Sequence, residues 1–497
     1  MSRLRPRVVV TLPARTVAEA ARQARLAHEH GADAAELRVD RLGPDERSAV
    51  ARLFPSPLPL VATYRSRAEG GEGADDAATR RSILRDLASH PFRWIDLELA
   101  RDLEVVPSLP PAERLGRIVS CHQNEVATGA WAERLRELEA VDGIGKLVVR
   151  ASVAEALHDV VPQAHRVGEE VIVHTTGPSG PLLRAWARRF GFPMVYAALP
   201  AGAGEAPVEP SQVPVDRLRP FLEPEEPPPI FAVCGRPVAH SLSPSIHSRW
   251  MREDGRTGLY IALEFADDTE FLDALGPLGA GGFRGLNVTH PFKAVAAEAA
   301  TEVGAGAQAC GVANCLTFHE GNVAAENTDL LAILRRLEEL RAAGRWDGGA
   351  LSVVGAGGAA RATLAAAREL GASATVVARR SSAALTLAEE FGAVVGVAGE
   401  GPSASLVVHA TNVGRETGSA LEVPIAPLLG RLSHVLDWVY APNEPAVRRA
   451  AERAGASYED GWRLLVYQAA ASYEIWWGRP PAEASVVRSV EEGPCAA

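Results

Sequence analysis

Several features that would place the chain in a familiar class are scarce or missing. The five cysteines among 497 residues are too few for a disulfide framework. Cys310 and Cys315 are the nearest to a metal-binding pair, but no further cysteine or histidine stands at the spacing of a zinc site. No run approaches the roughly 18 apolar residues of a membrane span, and Met1–Arg7 lacks the apolar stretch of a signal peptide. Basic residues are fewer than acidic ones, since 51 lysines and arginines against 62 aspartates and glutamates give a net charge of −11. These absences disfavour secreted, membrane and nucleic-acid-binding proteins, and they predict a cytoplasmic protein without a bound metal.

Proline, by contrast, is concentrated in one place, the stretch Pro220–Pro229. A proline-rich run favours an extended, semi-rigid spacer, so we predict a linker over 223–229. The length of the chain predicts about three domains of roughly 150 residues each. One of them precedes the linker, over 1–222.

The segment before the linker alternates short β-branched runs with helical segments rich in alanine, arginine and leucine. Eight strands alternating with helices predict an α/β fold, a closed (β/α)8 barrel. An open sheet is the alternative if one run is not a strand. The predicted strands are Val8–Leu12, Ala35–Val39, Leu60–Tyr64, Trp94–Leu99, Arg117–Cys121, Lys146–Val149, Val171–His174 and Met194–Ala198.

Charged residues gather where these strands end, which is where a barrel of this kind carries its chemistry. Taken singly, Arg38 could pair with Glu69, and His122 could be a structural histidine. Taken together, the charges predict one polar mouth that binds an anion. The residues concerned are Glu36, Arg38, Arg65, Glu69, Asp96, Glu98, His122, Lys146 and Arg184.

Lys146 is the expected reactive group of this mouth. A lysine desolvated on a barrel strand and near arginines is expected to have a lowered pKa, and the neutral amine can form an imine with a ketone. The imine acidifies the neighbouring carbon, and His122, held by a carboxylate, is the available general base.

The motifs Glu36-Leu-Arg-Val-Asp40, Arg65-x-x-x-Glu69-Gly-Gly, Asp96-Leu-Glu98 and Ser120-x-His122, with the isolated Lys146, resemble type I 3-dehydroquinate dehydratase. The resemblance runs from about Val8 to Leu222. It implies a Schiff base between Lys146 and 3-dehydroquinate, with His122 as the base and Glu69 orienting it. It further implies that Arg184 binds the substrate carboxylate and that Glu36, Arg38 and Arg65 hold hydroxyls. Gln212 matches the family's lid residue, whereas Val208 stands where a serine is usual.

The half after the linker contains a strand-like run that bends at Pro291 and delivers Lys293. A lysine that can pair with Asp329, surrounded by hydroxyl and amide donors, suits proton transfer on a small polyhydroxylated substrate. A structural salt bridge is the alternative. Further upstream, Ser241 and Ser243 are candidate substrate contacts, with helix capping as their alternative.

A dinucleotide-binding turn follows the strand Leu351–Val354. The pattern Gly-x-Gly-x-x-Ala between a strand and a helix lets the backbone approach a pyrophosphate at a helix N-terminus. After the next strand, Arg379 and Arg380 stand where an NAD site often has a carboxylate, which favours NADP over NAD. Two solvated surface arginines are the alternative. The residues of the turn are Gly355, Ala356, Gly357, Gly358, Ala359 and Ala360.

These motifs together resemble shikimate dehydrogenase over almost all of 230–490. The resemblance implies that Lys293 and Asp329 are the catalytic pair for reduction of 3-dehydroshikimate. It implies substrate contacts for the set Ser241, Ser243, Thr289, Asn314, Tyr440 and Gln468. It places Trp438, Gly461 and Leu465 on the nicotinamide side. Leu465 departs from the usual methionine, and Cys315 departs from the usual threonine.

The predicted architecture is therefore a barrel over 1–222, a substrate domain over 230–331 completed by 460–490, and a Rossmann-type NADP domain over 332–459. The predicted function is bifunctional: dehydration of 3-dehydroquinate, then NADPH-dependent reduction of the product. Alternatives are a shikimate or quinate dehydrogenase with a non-catalytic barrel, and a quinate dehydrogenase that uses NAD. The expected partners are small-molecule substrates, with no nucleic acid or membrane, and the sequence gives no prediction of oligomeric state.

Overall fold

A computed structural model describes residues 5–123, 130–204, 206–396, 404–411, 425–440 and 446–494. The chain divides into two compact units. The first comprises Met1–Ile230 and Thr257–Gly282, and the second Phe231–Arg256 and Phe283–Ala497. Within the described ranges, no helix is long and apolar enough to cross a membrane.

The first unit contains eight parallel strands, and each of the eight predicted runs is one of them. Each strand pairs with the next along the chain from β1 to β7, and β8 pairs with β1, which gives the order of a (β/α)8 barrel. The strands are β1 Arg7–Leu12, β2 Ala34–Arg38, β3 Leu60–Thr63, β4 Trp94–Glu98, β5 Gly116–Gln123, β6 Ile144–Arg150, β7 Val171–Thr176 and β8 Met194–Ala197.

Helices follow most of these strands. The helix α1 shows why they start where they do: Thr16 and Glu19 form a capping box, and small residues at helical spacing form its buried face. The helices of the first half are α1 Val17–Glu29, α2 Pro44–Ser48, α3 Ala77–Ser89, α4 Ala130–Glu139, α5 Val153–Glu155, α6 Val161–Val167, α7 Gly180–Ala185, α8 Ala187–Phe190 and α9 Val215–Leu222. A π-helical turn over Ala156–Val160 joins α5 to α6, and α9 takes up the start of the proline-rich stretch.

The barrel differs from full closure at one seam, between β7 and β8, where the described residues show no backbone ladder. Side chains take its place. The Tyr196 backbone N–H donates to His174 Nε2 at 3.2 Å, and the Tyr196 carbonyl accepts from Arg184 Nε at 3.1 Å. Both backbone groups of Tyr196 thus bond side chains at this seam.

The segment Thr257–Gly282 carries β10 Leu259–Glu264 and α11 Asp268–Ala280. It is fastened to the barrel's helices: the Trp186 indole donates to the Gly281 carbonyl at 2.7 Å, and Glu270 accepts from the Ala154 N–H at 2.8 Å. The sequence assigned this segment to the substrate domain, and the predicted domain bounds stay a prediction.

The second unit contains two sheets. In the first, β9, β11, β13, β14 and β12 lie in that order, with antiparallel pairs around β13. In the second, six parallel strands lie in the order β17-β16-β15-β18-β19-β20, which is the Rossmann order and confirms that prediction. The strands are β9 Ile230–Gly235, β11 Phe283–Val288, β12 Glu302–Val303, β13 Cys315–His319, β14 Asn322–Glu326, β15 Leu351–Val354, β16 Ala374–Val377, β17 Val394–Val395, β18 Ala404–His409, β19 Leu429–Asp437 and β20 Ser457–Glu459.

Helices cover these sheets, and the long predicted helix near the end of the chain is α18. They are α10 Ser243–Glu253, α12 Lys293–Glu298, α13 Ala305–Cys310, α14 Thr328–Ala342, α15 Gly358–Glu369, α16 Ser381–Phe391, α17 Ala446–Ala454, α18 Trp462–Trp477 and α19 Glu483–Glu492.

Candidate active sites

The barrel interior changes from apolar to polar within one step along its strands. Its lower layer is an apolar cluster with one residue from each strand: Val9, Ala34, Val61, Trp94, Ile118, Ile144, Ile172 and Met194. Because side chains alternate along a strand, the residue two positions further on each strand faces the same interior. All eight of those residues are polar and buried: Thr11, Glu36, Thr63, Asp96, Ser120, Lys146, His174 and Tyr196. We call this set the polar layer.

Lys146 stands in the polar layer beside carboxylates. Its Nζ donates to Asp96 Oδ2 at 3.0 Å, lies 3.7 Å from Glu36 Oε1, and sits 4.1 Å from the centroid of the Tyr196 ring. Arginines were expected near this amine, and Arg65 is linked to it through Asp96, which both side chains bond. Arg38 and Arg65 belong to the next step up the barrel, whereas the carboxylates share the lysine's own layer.

Arg65 bonds carboxylates at two levels of the barrel, Asp96 in the polar layer and Glu69 beyond it. Its guanidinium donates to Asp96 at 2.8 Å, Ser120 at 2.9 Å and Glu69 at 3.0 Å. Burial opposes ionisation of Asp96, but the charges of Arg65 and Lys146 prevail and lower the pKa of Asp96 to about 2. Asp96 is therefore a fixed negative charge next to the amine.

His122 and Glu69 form a hydrogen-bonded pair at the top of the barrel. Glu69 Oε2 accepts from the His122 backbone N–H at 3.0 Å and lies 3.2 Å from Nδ1. Desolvation, with the charges of Arg65 and Lys146, lowers the pKa of His122 well below its usual value. Desolvation also raises the pKa of Glu69, to about 7. The imidazole is thus neutral near pH 7, which is the form that accepts a proton.

The remaining predicted residues of the barrel are held in defined contacts. Thr11 and Thr63 each donate to Glu36 at 2.8 Å, and Gln212 Nε2 donates to Thr11 at 3.1 Å. Arg38 pairs with Asp40 through two bonds of 2.9 and 2.8 Å, so the alternative pairing with Glu69 is wrong.

Arg184 lies at the β7–β8 seam. It donates to the carbonyls of Tyr196, Thr175 and Gly180 through Nε and Nη1. It forms no ion pair with the described residues, and burial lowers the pKa of Arg184 to about 10. His174 and Tyr196, which complete the seam, were missed by the sequence reasoning. The sequence signal for them was that each lies two positions after an apolar, inward-facing residue of its strand.

The second unit holds a cleft of about 410 Å³. Most of the residues predicted for this half line it: Ser241, Ser243, Thr289, Lys293, Asn314, Asp329, Gly355, Ala356, Gly357, Gly358, Ala359, Arg379, Arg380, Trp438, Tyr440, Gly461, Leu465 and Gln468. Ala360 is the exception, since it is fully buried in α15. The capping alternative is wrong for Ser243, because Leu242 occupies the cap position of α10. Ser241 does serve the helix start, since its hydroxyl accepts from the Ser243 N–H at 3.3 Å.

Lys293 and Asp329 form a pair in the lining of this cleft. Lys293 Nζ donates to Asp329 Oδ2, and Asn314 Nδ2 donates to Asp329 Oδ1 at 2.9 Å. The Asn314 side-chain oxygen in turn accepts from the Thr328 N–H at 2.7 Å, at the start of α14. The amide is therefore fixed at both ends, and it fixes the carboxylate.

The glycine turn borders the same lysine. A Cβ on Gly358 would lie 2.7 Å from Lys293 Cδ, and a Cβ on Gly355 would lie 2.4 Å from the Ala410 carbonyl oxygen, with φ at +131°. At Gly355 the backbone angle and the carbonyl exclude a side chain, whereas at Gly358 a side chain would displace that of Lys293, so both glycines let the turn lie close to this amine. The turn lies between β15 and β18, where the strand order reverses and nucleotides bind in such sheets.

Sequence reasoning missed several residues that line this cleft, among them His240, Asn287, His290, His409 and Thr411. Asn287 and His290 flank Thr289 in a motif already recognised. The Asn287 amide donates to Ser472 on α18 at 2.7 Å. His409 and Thr411 could have been predicted as lining residues, because they stand at the end of β18, beside the glycine turn.

The two sites define a class: a barrel with a lysine buried among carboxylates, followed by a Rossmann-type dehydrogenase unit. Comparison with protein families agrees. Residues 8–225 match the family type I 3-dehydroquinase, and residues 233–316 match the shikimate dehydrogenase substrate-binding domain.

Individual relatives are similar over one or both halves. A bifunctional 3-dehydroquinate dehydratase/shikimate dehydrogenase of Arabidopsis thaliana is 28% identical over 486 residues, which is 91% of this chain and 79% of the relative. An NADP(+) shikimate dehydrogenase of Ruegeria sp. is 36% identical over 52% of this chain and 96% of its own length. The crystal structure of shikimate 5-dehydrogenase from Thermus thermophilus in complex with NADP(H) and shikimate is 34% identical, with a TM-score of 0.48 over 53% of this chain and 99% of that one.

The chain therefore belongs to the bifunctional family in which a type I 3-dehydroquinase is followed by a shikimate dehydrogenase.

Proposed function

We propose that the two units catalyse consecutive reactions. The first dehydrates 3-dehydroquinate to 3-dehydroshikimate through an imine on Lys146, and the second reduces 3-dehydroshikimate to shikimate with NADPH. The observation that carries the proposal is that each unit has one buried or partly buried lysine paired with a carboxylate, at the place where its fold puts chemistry.

In the barrel, the Lys146 amine adds to the substrate ketone, and loss of water gives the imine. Neutral His122 takes a proton from the adjacent carbon, with Glu69 accepting from Nδ1 and so leaving Nε2 as the basic nitrogen. The hydroxyl on the next carbon then leaves as water with the proton that His122 has taken, which returns His122 to its neutral form, and hydrolysis of the imine returns the free lysine. Asp96 keeps a negative charge beside the cationic imine.

Substrate binding in the barrel falls to the polar groups around this centre. We propose that Glu36, Arg38, Arg65 and Gln212 hold hydroxyls. Arg184 is the proposed partner of the substrate carboxylate, because its bonds to carbonyls use Nε and Nη1 and it has no ion pair among the described residues. A buried guanidinium without an anionic partner is a strong site for a carboxylate.

The second unit fits a dinucleotide. The glycine turn forms a cradle that a Cβ would fill, and Gly357 stands at the N-terminus of α15 with nothing within 4 Å of its Cβ direction. NADPH would supply a hydride when bound. Arg379 and Arg380 line the same cleft, and their charge suits the 2′-phosphate that distinguishes NADP from NAD. Trp438, Gly461 and Leu465 are proposed to face the nicotinamide.

Lys293 is proposed to donate the proton to the substrate oxygen. Asp329 holds the ammonium, and Asn314 holds Asp329, so the donor has one position in the cleft. The hydroxyls of Ser241, Ser243, Thr289 and Tyr440, with the amides of Asn314 and Gln468, are proposed to bind the substrate's hydroxyl and carboxylate groups.

One assay tests both halves. Wild-type protein with 3-dehydroquinate and NADPH, and no other enzyme, should oxidise NADPH and form shikimate. Lys146→Ala should abolish this from 3-dehydroquinate and leave the reduction of 3-dehydroshikimate intact. Lys293→Ala should form 3-dehydroshikimate but should neither oxidise NADPH nor form shikimate. The proposal fails for the barrel if Lys146→Ala still forms 3-dehydroshikimate, and for the second unit if Lys293→Ala still oxidises NADPH at the wild-type rate.

A further inference from the structure

One hydroxyl of the polar layer has no hydrogen-bond partner. Tyr196 is 3% exposed, and its phenolic oxygen is buried without a donor or acceptor among the described residues. The other hydroxyls of the layer are bonded: Thr11, Thr63 and Ser120 each donate to a carboxylate, at 2.8, 2.8 and 2.6 Å. An unbonded buried polar group costs free energy, and buried polar groups of native proteins are nearly always bonded. The Tyr196 hydroxyl is therefore a group that the fold itself does not use.

The carboxylates of the layer are occupied by other donors. Glu36 accepts the two threonine hydroxyls, one on each oxygen. Asp96 accepts from two other side chains on Oδ1 and from Lys146 on Oδ2. Burial, together with the negative charges of these two carboxylates, raises the pKa of Tyr196 well above its usual value. The phenol consequently keeps its proton and remains a hydrogen-bond donor.

The same side chain borders the reactive amine of the barrel. Lys146 Nζ lies over the Tyr196 ring, 4.1 Å from its centroid. The backbone of Tyr196 is held at the seam by His174 and Arg184, and its ring packs edge-on against the His174 ring, with centroids 6.1 Å apart. A substrate atom that becomes bonded to Nζ must therefore lie beside this phenol.

We propose that the Tyr196 hydroxyl donates a hydrogen bond to the substrate of the barrel, at the oxygen on the carbon that Lys146 attacks. As the amine adds, the carbonyl double bond opens and this oxygen gains electron density, so a donor already in place binds it more strongly. The two hydrogens that leave with the oxygen as water come from the lysine nitrogen, and the phenol ends the step as it began. The inference rests on the proposed dehydratase function of the first unit.

The variant Tyr196→Phe removes the phenolic oxygen and keeps the ring beside the amine. The full chain is mixed with 3-dehydroquinate and quenched with borohydride at increasing times, which measures how fast covalent mass appears at Lys146. The adduct should form about ten- to a hundredfold more slowly in the variant, the effect of one donor lost at a developing charge in a site that excludes water. Reduction of 3-dehydroshikimate by the same preparation is the internal control for protein concentration.

Stability distinguishes a hydroxyl held for substrate from one that serves the fold. Because the hydroxyl has no partner, Tyr196→Phe should leave the Tm of the ligand-free protein unchanged or raise it. Tyr64→Phe is the matched control, because Tyr64 is a buried tyrosine directly after β3 whose oxygen accepts from the Ala74 N–H at 3.0 Å. This control should lower the Tm and form the adduct at nearly the wild-type rate.

Two results would overturn the inference. One is an adduct that forms as fast in Tyr196→Phe as in wild type. The other is a Tm that falls in Tyr196→Phe as it does in Tyr64→Phe, because the hydroxyl would then serve the fold. A wild-type chain that forms no adduct at Lys146 would instead refute the proposed dehydratase function.

Discussion

Lys146 in the first unit and Lys293 in the second both pair with carboxylates, yet their surroundings differ. The Lys146 side chain is 5% exposed and meets two carboxylates and an aromatic ring, whereas the Lys293 side chain is 18% exposed and pairs with Asp329 in the lining of a cleft. The first arrangement suits an amine that becomes bonded to substrate in an enclosed space. The second suits an amine that delivers a proton while a dinucleotide enters and leaves beside it.

The elements that carry the two lysines explain the difference. Lys146 is in the middle of β6, where neighbouring strands surround an inward side chain on all sides. Lys293 begins α12, directly after the bend at Pro291, so only part of its surroundings is protein. The first lysine is therefore positioned by a closed layer, and the second by a hydrogen-bonded pair.

The sharpest way to break this comparison is borohydride reduction in the presence of 3-dehydroquinate. Covalent mass should appear at Lys146 in every active chain and be absent from Lys293, because only Lys146 is proposed to form an imine. Peptide mass spectrometry locates the label. Lys293→Ala should be labelled as wild type, and Lys146→Ala should not be labelled. A label on Lys293 would contradict the claim that only Lys146 forms an imine.

The next largest effect is expected for Asp329→Asn. Loss of the carboxylate that holds the Lys293 ammonium should lower kcat for reduction of 3-dehydroshikimate by about 10²- to 10⁴-fold, the range for a positioned acid–base group. Dehydratase activity of the same preparation is the internal control and should be unchanged. Wild-type kcat in this variant would mean that Asp329 does not act with Lys293.

A smaller effect is expected on stability for Asp96→Asn. Because Arg65 and Lys146 lower the pKa of Asp96 from 3.8 to about 2, its charge stabilises the folded barrel above about pH 4, and this stabilisation is lost as pH falls toward 2. The variant should lose about 2 kcal/mol of unfolding free energy at pH 7, and more if the two cations are left unpaired. Urea unfolding at pH 7 and near pH 3 measures it, and a deficit that does not shrink in acid would contradict the assignment.

The smallest expected effect is a displacement of the acid limb of the dehydratase pH profile. His122 must be neutral to accept a proton, so activity falls as pH drops through its pKa. Desolvation and the charges of Arg65 and Lys146 lower that pKa, so the fall should come below pH 6.5. Profiles of kcat/KM for 3-dehydroquinate measure it. A limb above pH 6.5 would mean that the barrel mouth is wetter, or less cationic, than its contacts indicate.

Much of the fold could be predicted because strand patterns are local. The eight barrel strands and the strand–glycine turn–helix of the cofactor unit follow from short β-branched runs and from glycine positions. The lining of the second cleft was also largely predictable, since Ser241, Thr289, Lys293 and Asp329 come from compact motifs.

Partners from distant strands were not predictable in the same way. Arg38 was expected to have Glu69 as an alternative partner, and it binds Asp40. Arg184 was expected at the substrate, and its guanidinium also holds the seam. The carboxylates at Lys146 belong to β2 and β4. Which carboxylates reach the amine depends on the register of the strands, and register is difficult to predict from a single sequence.

The order of strands, the two candidate lysines and the glycine turn were determined by the sequence itself, because each follows from residues close together in the chain. The tertiary structure alone decided the charges around Lys146 and the side-chain seam between β7 and β8. Each of these joins residues from different strands, and hydrogen bonds between them form only when the sheet register brings donor and acceptor within about 3 Å.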